Sequence, residues 1–168
     1  MKKTFTNLII MVSILAFTQY SLYSQDAQSL VKIHNVSSVA NMNSINLYAE
    51  HLMNQIGVSK YKSGDTGSGT QATTLFWKDK DLDVDGFYVN DGSGLSRFNS
   101  ITAKQLVGIL KYMNESEHKE MFFKSLPVAG KSGTMRNFGK GTAAHGKVSA
   151  KSGTMTRVKS YAGYVTTK

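Results

Sequence analysis

Gly146-Lys147-Val148-Ser149-Ala150-Lys151-Ser152-Gly153-Thr154 opens on residues that alternate in character and ends on a lysine, a serine and a glycine. Alternation with a period of two is the pattern of a half-buried strand. The run that follows, Val158 to Thr167, is again rich in β-favouring residues, so the two stretches read as a hairpin-like pair. Lysine at such a strand end supplies charge, serine a directional donor, and glycine a close approach without a Cβ. Together they suit a small carboxylate and the carbonyl beside it. Lys131-Ser132-Gly133-Thr134-Met135 repeats the same letters earlier in the chain, and at most one copy is expected to be a site. The strand-like approach favours the second. Read without context, Lys151 is a solvated lysine at the end of a strand.

The N-terminus bears on compartment. Met1-Lys2-Lys3 is a short basic start, Leu8 to Phe17 is apolar apart from Ser13, and Ser24 is a small residue before Gln25-Asp26. This is the layout of a secretory signal peptide, residues 1–24, cleaved after Ser24. The apolar stretch falls well short of the ~20 residues that cross a bilayer, and no second stretch is long enough. The expectation is an exported protein of the periplasm or cell envelope.

Residues 25–168 carry eighteen Lys and Arg against eleven Asp and Glu, in a length that suits one modest domain. The cations are scattered, with no basic helix and no aromatic-basic stripe, so a nucleic-acid partner is not expected. An anionic envelope fits such a surface better. There is no cysteine, hence no disulfide and no thiolate chemistry. His34, His51, His118 and His145 are dispersed without ligand spacing, so neither a metal nor another cofactor is expected.

The expected fold class is α/β in the α+β sense, helices against an antiparallel sheet. Ser29 to Asn41 reads as mixed and extended. Leu47 to Ile56 reads as an amphipathic helix through Leu47, Tyr48, Leu52 and Ile56, stopped by Gly57. Ser63 to Thr70 reads as a flexible Gly/Ser/Thr loop, Gln71 to Lys78 as a short helix, and Gly86 to Val89 as a brief strand into a turn at Asn90-Asp91-Gly92-Ser93-Gly94. Thr102 caps a helix over Ala103 to Asn114 with the stripe Leu106, Ile109, Leu110 and Met113. His118 to Ser125 is a further helix, closed by the single proline, Pro127, and Gly130 to Gly146 is loop.

Four stretches in this order resemble the D-alanyl-D-alanine carboxypeptidases of the class C penicillin-binding type. They are Asn46-Leu47-Tyr48-Ala49-Glu50-His51-Leu52 preceded by Ser44, Asp91-Gly92-Ser93-Gly94-Leu95-Ser96-Arg97, Ser125-Leu126-Pro127-Val128-Ala129-Gly130, and Gly146 to Thr154. The likeness runs from about Leu30 to the end and corresponds to the C-terminal part of that family's catalytic domain. It implies a penicillin-binding, serine β-lactamase-like transpeptidase domain, incomplete at both ends. Lacking flanking parts, the sheet is expected to leave an unpaired edge and apolar surface, giving marginal stability or association with another polypeptide.

The resemblance also implies roles. Such enzymes use Ser-x-x-Lys, Ser-x-Asn and Lys-Thr-Gly motifs. Ser44-Ile45-Asn46 matches the second: Ser44 would pass a proton to the leaving nitrogen, and Asn46 would hold a substrate amide. Asn46 read alone is equally a helix N-cap. Lys151-Ser152-Gly153 matches the third with serine for threonine, either hydroxyl being able to donate to the terminal carboxylate. Thr154 would lend its N–H to an oxyanion hole. Asp91 is expected to satisfy its own turn, Arg97 to be structural, and neighbouring Glu50 and His51 to point apart rather than form an acid-base pair.

The nucleophile stays unassigned. Ser29 to Lys32, Ser59 to Lys62 and Ser116 to Lys119 are Ser-x-x-Lys strings, but none has the expected context of a rigid helix beside an oxyanion hole. The expected function is therefore, by family, a serine-type D-alanyl-D-alanine carboxypeptidase or endopeptidase acting on peptidoglycan stem peptides and met by β-lactams, with the nucleophile-bearing half missing. The alternative is a non-catalytic remnant, or half of a split enzyme completed by a second chain, that binds envelope peptides. A serine β-lactamase is a more distant reading.

Overall fold

The computed structural model describes residues 27–167. The expected signal peptide lies outside the described residues, and among them no helix is long and apolar enough to cross a membrane. Five α-helices come first: α1 (Ala27–Asn43), α2 (Asn46–Tyr61), α3 (Thr66–Asp79), α4 (Ala103–Glu115) and α5 (Lys119–Ser125). A 3-10 turn (Gly133–Met135) leads to the strands β1 (Val148–Met155) and β2 (Val158–Val165). The expected class, helices against an antiparallel sheet, is what the chain forms.

β1 and β2 pair antiparallel from Val148↔Val165 to Met155↔Val158. The other edge of β1 is met by a short extended segment: Ala129 N–H donates to Val148 O at 2.8 Å and Ala150 N–H to Pro127 O at 2.9 Å. Among the described residues no strand lies beyond β2, and Val165 is exposed there, as expected of an unpaired edge. One face of the hairpin, through Ala162 and Tyr164, packs on the main core of Met53, Trp77, Ile109, Met113, Phe122 and their neighbours. Tyr164 stacks on Phe123 and donates to Leu110 O at 2.7 Å. The other face, through Ala150 and Val148, meets Ala129, Met135 and Phe138. The hairpin is thus held on both sides, and its register is fixed.

α4 follows its local code. Thr102 accepts from Gln105 N–H while the Gln105 side chain accepts from Thr102 N–H, a complete capping box. Gln105 is also buried and donates to Asp83 O and Asp85 O, tying the preceding loop to the helix. Leu106, Ile109, Leu110 and Met113 are all buried. Thr102→Ala is expected to cost about 1 kcal/mol, read as a lowered urea midpoint with unchanged slope; an unshifted midpoint would show the cap to be idle.

Four readings change. Ser29 to Asn41 is not extended but lies inside α1, whose buried face is Ser37, Ala40 and Asn41, with Asn41 Nδ2 donating to Ser125 Oγ of α5 at 2.9 Å. Packing overrides the β-branched composition here. The Gly/Ser/Thr stretch is not a loop throughout. Asp65 accepts from Ser68 N–H as N-cap of α3, and the Ser63 and Ser68 hydroxyls also bond its carboxylate, holding its pKa below the usual carboxylate range. α2 runs through Gly57 to Tyr61, burying Ala49, Leu52, Met53 and Ile56, while Leu47 and Tyr48 are exposed. Gly86 to Val89 forms a single bridge, Tyr88↔Ser100, rather than a strand.

Candidate functional site

The site lies where the α1–α2 junction meets the hairpin. α1 ends with Ile45 N–H donating back to Ala40 O at 3.3 Å while Ser44 takes a left-handed conformation, φ 56°. This is the Schellman closure that usually carries glycine, or sometimes asparagine, at that position. Serine there carries a steric cost, and what it adds is a hydroxyl. Ser44 Oγ accepts from Lys151 Nζ at 2.9 Å, across 107 positions of sequence.

Lys151 is 2% exposed. It stands on the face of β1 that bears its partner Ala162, the core side of the hairpin. Its ammonium donates to Ser44 Oγ and, at 2.6 Å, to Ser152 O. Burial brings its pKa down to about 8 from the usual 10.5, because the low-dielectric surroundings disfavour the charged form. Lys151 is therefore not a solvated strand-end lysine. Nor does it line the adjoining cleft, so its amine serves Ser44 rather than standing open to a carboxylate.

The cleft has a volume of about 630 Å³. Ser44 and Asn46 form one wall, Ser152, Thr154, Lys159 and Tyr161 the hairpin side, and Thr134 with Asn137, Phe138 and Gly139 the loop side. Asn46 is the first residue of α2, capped at Ile45 without a side-chain bond, so the N-cap reading of Asn46 does not hold, and the residue lines the cleft. Gly153 is buried within β1.

The two Lys-Ser-Gly-Thr copies are not alternatives. Ser152 Oγ of the second donates to Thr134 Oγ1 of the first at 2.8 Å, and both residues line the cleft. Ser132 of the first copy accepts from Val128 N–H and folds the loop on itself. Spacing alone gave no reason to bring them together; the shared letters were the available signal. Asn137, Phe138, Gly139, Lys159 and Tyr161 are further lining residues that no motif marked, and Phe138 packs against Tyr161 with ring centroids 4.7 Å apart.

The remaining polar candidates support the frame. Glu50 accepts from Gly92 N–H and Ser93 N–H at 2.8 and 2.9 Å, anchoring the turn to α2 rather than pairing with His51. Asp91 accepts from Gly94, Ser96 and Asn99, satisfying its own turn as expected. A Cβ at Gly92 would meet Glu50 Cα at 2.6 Å, so the turn can dock there because it has none. Arg97 is exposed. Of the Ser-x-x-Lys strings, Ser59 to Lys62 ends α2 and Ser116 to Lys119 bridges α4 and α5, and neither lines the cleft; Ser29 to Lys32 falls within α1.

Comparison with known proteins follows the same lines. The model of a family described as D-Ala-D-Ala carboxypeptidase 3 (S13) matches residues 24–168. The chain is 39% identical over 125 residues to a D-alanyl-D-alanine carboxypeptidase of Actinomadura sp. (strain R39), covering 71% of this chain and 23% of that protein. It is 35% identical over 127 residues to the penicillin-sensitive carboxypeptidase A of Dictyostelium discoideum, covering 74% and 24%. Penicillin binding protein 4 of Haemophilus influenzae, solved in complex with a β-lactam, superposes with a TM-score of 0.75 at 26% identity, over 80% of this chain and 32% of that one. The chain thus spans about a quarter of the length of the curated relatives it matches.

Proposed function

The chain belongs to the D-Ala-D-Ala carboxypeptidase 3 (S13) family, and we propose that it forms the substrate-holding wall of a serine-type D-alanyl-D-alanine peptidase site. Its ligands are peptidoglycan stem peptides ending in D-Ala-D-Ala, and the β-lactams that imitate them. The compartment is the periplasm or cell envelope. The observation that carries this reading is the 2.9 Å bond from Lys151 to Ser44, which joins the second and third motifs at one cleft.

Each side chain then has a task. Asn46 holds the amide before the scissile bond. Ser152 donates to the terminal carboxylate. Gly153 lets the substrate strand approach, and Thr154 N–H is an oxyanion donor, a kind of group worth ~10²–10³ in rate. Acylation joins a serine Oγ to the substrate carbonyl carbon, passes the Oγ proton to the Lys151–Ser44 pair, and breaks the C–N bond to the last D-alanine. Ser44 hands a proton to that leaving nitrogen and is replenished by Lys151, whose lowered pKa suits the exchange. Water then cleaves the ester.

The acylated serine itself is assigned to a segment beyond the described residues, on a longer form of this chain or on a second polypeptide. Two observations favour this: neither Ser59 nor Ser116 lines the cleft, and the chain covers about a quarter of its curated relatives. Intact-mass measurement after incubation with benzylpenicillin tests it. The folded protein alone is expected to show no adduct while still binding a D-Ala-D-Ala peptide. An adduct mapped to Ser29, Ser59 or Ser116 would overturn the assignment.

A further inference from the structure

Among the described residues the cleft carries one charged side chain, and it is not Lys151. Of the ten described lining residues only Lys159 bears a charge. It stands on β2 directly across from Thr154, with Ser152 as its diagonal neighbour, a separation long side chains can bridge. Its Nζ lies 5.8 Å from the centroid of the Tyr161 ring, another lining residue. At that distance the ring face attracts the ammonium, keeping it beside a residue that lines the cleft. Among the described residues no carboxylate lines the cleft, and from residue 121 to 168 the chain has nine Lys and Arg and no Asp or Glu. Lys159 is exposed, whereas Lys151 is buried with its amine bonded to Ser44 and Ser152.

We propose that Lys159 is the specificity-determining cation that selects ligands with a free C-terminal carboxylate. An anion entering from solvent meets Lys159 first, with the Ser152 and Thr154 hydroxyls beside it as directional donors. A flexible ammonium acts as an adjustable point charge, suited to a small carboxylate that the hydroxyls then orient. Lys151 is left to hold Ser44. The separation has a chemical logic, since one amine serving both tasks would be pinned by the bound carboxylate. This inference rests on the stem-peptide reading above.

The test measures binding by the protein of two peptides, one ending in D-Ala-D-Ala as the free acid and the same peptide as its C-terminal amide. Wild type is expected to prefer the acid by about tenfold, the scale of one solvent-accessible charged hydrogen bond. Lys159→Ala removes the preference, Lys159→Glu reverses it, and Lys159→Arg retains it, with amide affinity changed less than twofold throughout. Raising the salt concentration shrinks the wild-type preference. A preference that survives in Lys159→Ala overturns the proposal. Equal binding of acid and amide by wild type also overturns it, while the stem-peptide reading stands. If wild type binds neither peptide, that reading falls and this inference falls with it.

Discussion

Gly69→Ala is expected to destabilise the fold by about 3 kcal/mol, the upper end of the usual overpacking cost. A Cβ at Gly69 would lie 2.8 Å from the Met53 carbonyl carbon and closer still to its oxygen. Both atoms belong to the α2 backbone and cannot swing aside. Gly57 faces the same seam, where a Cβ would sit 2.9 Å from Gly69 N and 2.6 Å from Ser63 O. α2 and α3 are therefore packed backbone to backbone, and the methyl has to push them apart. The gain in helix propensity from Gly to Ala, about 1 kcal/mol, offsets part of that strain but not most of it. The consequence reaches the cleft, because α2 begins at Asn46. Urea unfolding checks this against Gly67→Ala, on an exposed position of the same helix, which should change stability little. Equal midpoints for the two variants would mean that α2 and α3 can separate freely.

The same glycines explain what the sequence concealed. Gly57 reads as a helix stop and Gly67 with Gly69 as loop, since glycine is a poor helix former. Gly57 and Gly69 instead lie within helices that touch, a role visible once the partner is known. The Asp65 N-cap, three residues before Ser68, was the local signal that a helix starts there. α1 was hidden for another reason: Val31, Ile33, Val36 and Val39 favour strands, and its helix is held by the contact of Asn41 with Ser125, 84 positions away. By contrast α4 and the hairpin were legible, because a capping box, an apolar stripe and an alternating run are local patterns. The site divides similarly. Ser44, Asn46 and Lys151 were marked by motifs, but the burial of Lys151 and the meeting of Thr134 with Ser152 are products of the fold.

Lys151 is expected to make stability rise with pH above about 8. Its folded pKa of about 8 lies below the ordinary 10.5 of the unfolded chain. Below about pH 8 both states hold the proton, and the cost of burying the charge is present in full. Between 8 and 10.5 the unfolded chain still binds a proton that the folded one has released, so stability climbs with pH. The full span amounts to about 3 kcal/mol. Burial raises the Tyr164 hydroxyl pKa, so that group begins to act the other way above pH 10, when the unfolded chain loses its phenolic proton. The clean window is therefore pH 8 to 10. Lys151→Met keeps the stem and removes the titration, so urea midpoints for this variant should be flat across that window and no lower than wild type at pH 7. The same substitution should end proton return to Ser44, so that an assembled site containing this wall loses turnover while retaining the acid-over-amide preference set by Lys159. A wild-type midpoint that is level from pH 8 to 10 would show that Lys151 is not desolvated as its burial implies. Loss of the acid preference in Lys151→Met would return carboxylate recognition to Lys151 and remove the division of labour between the two lysines.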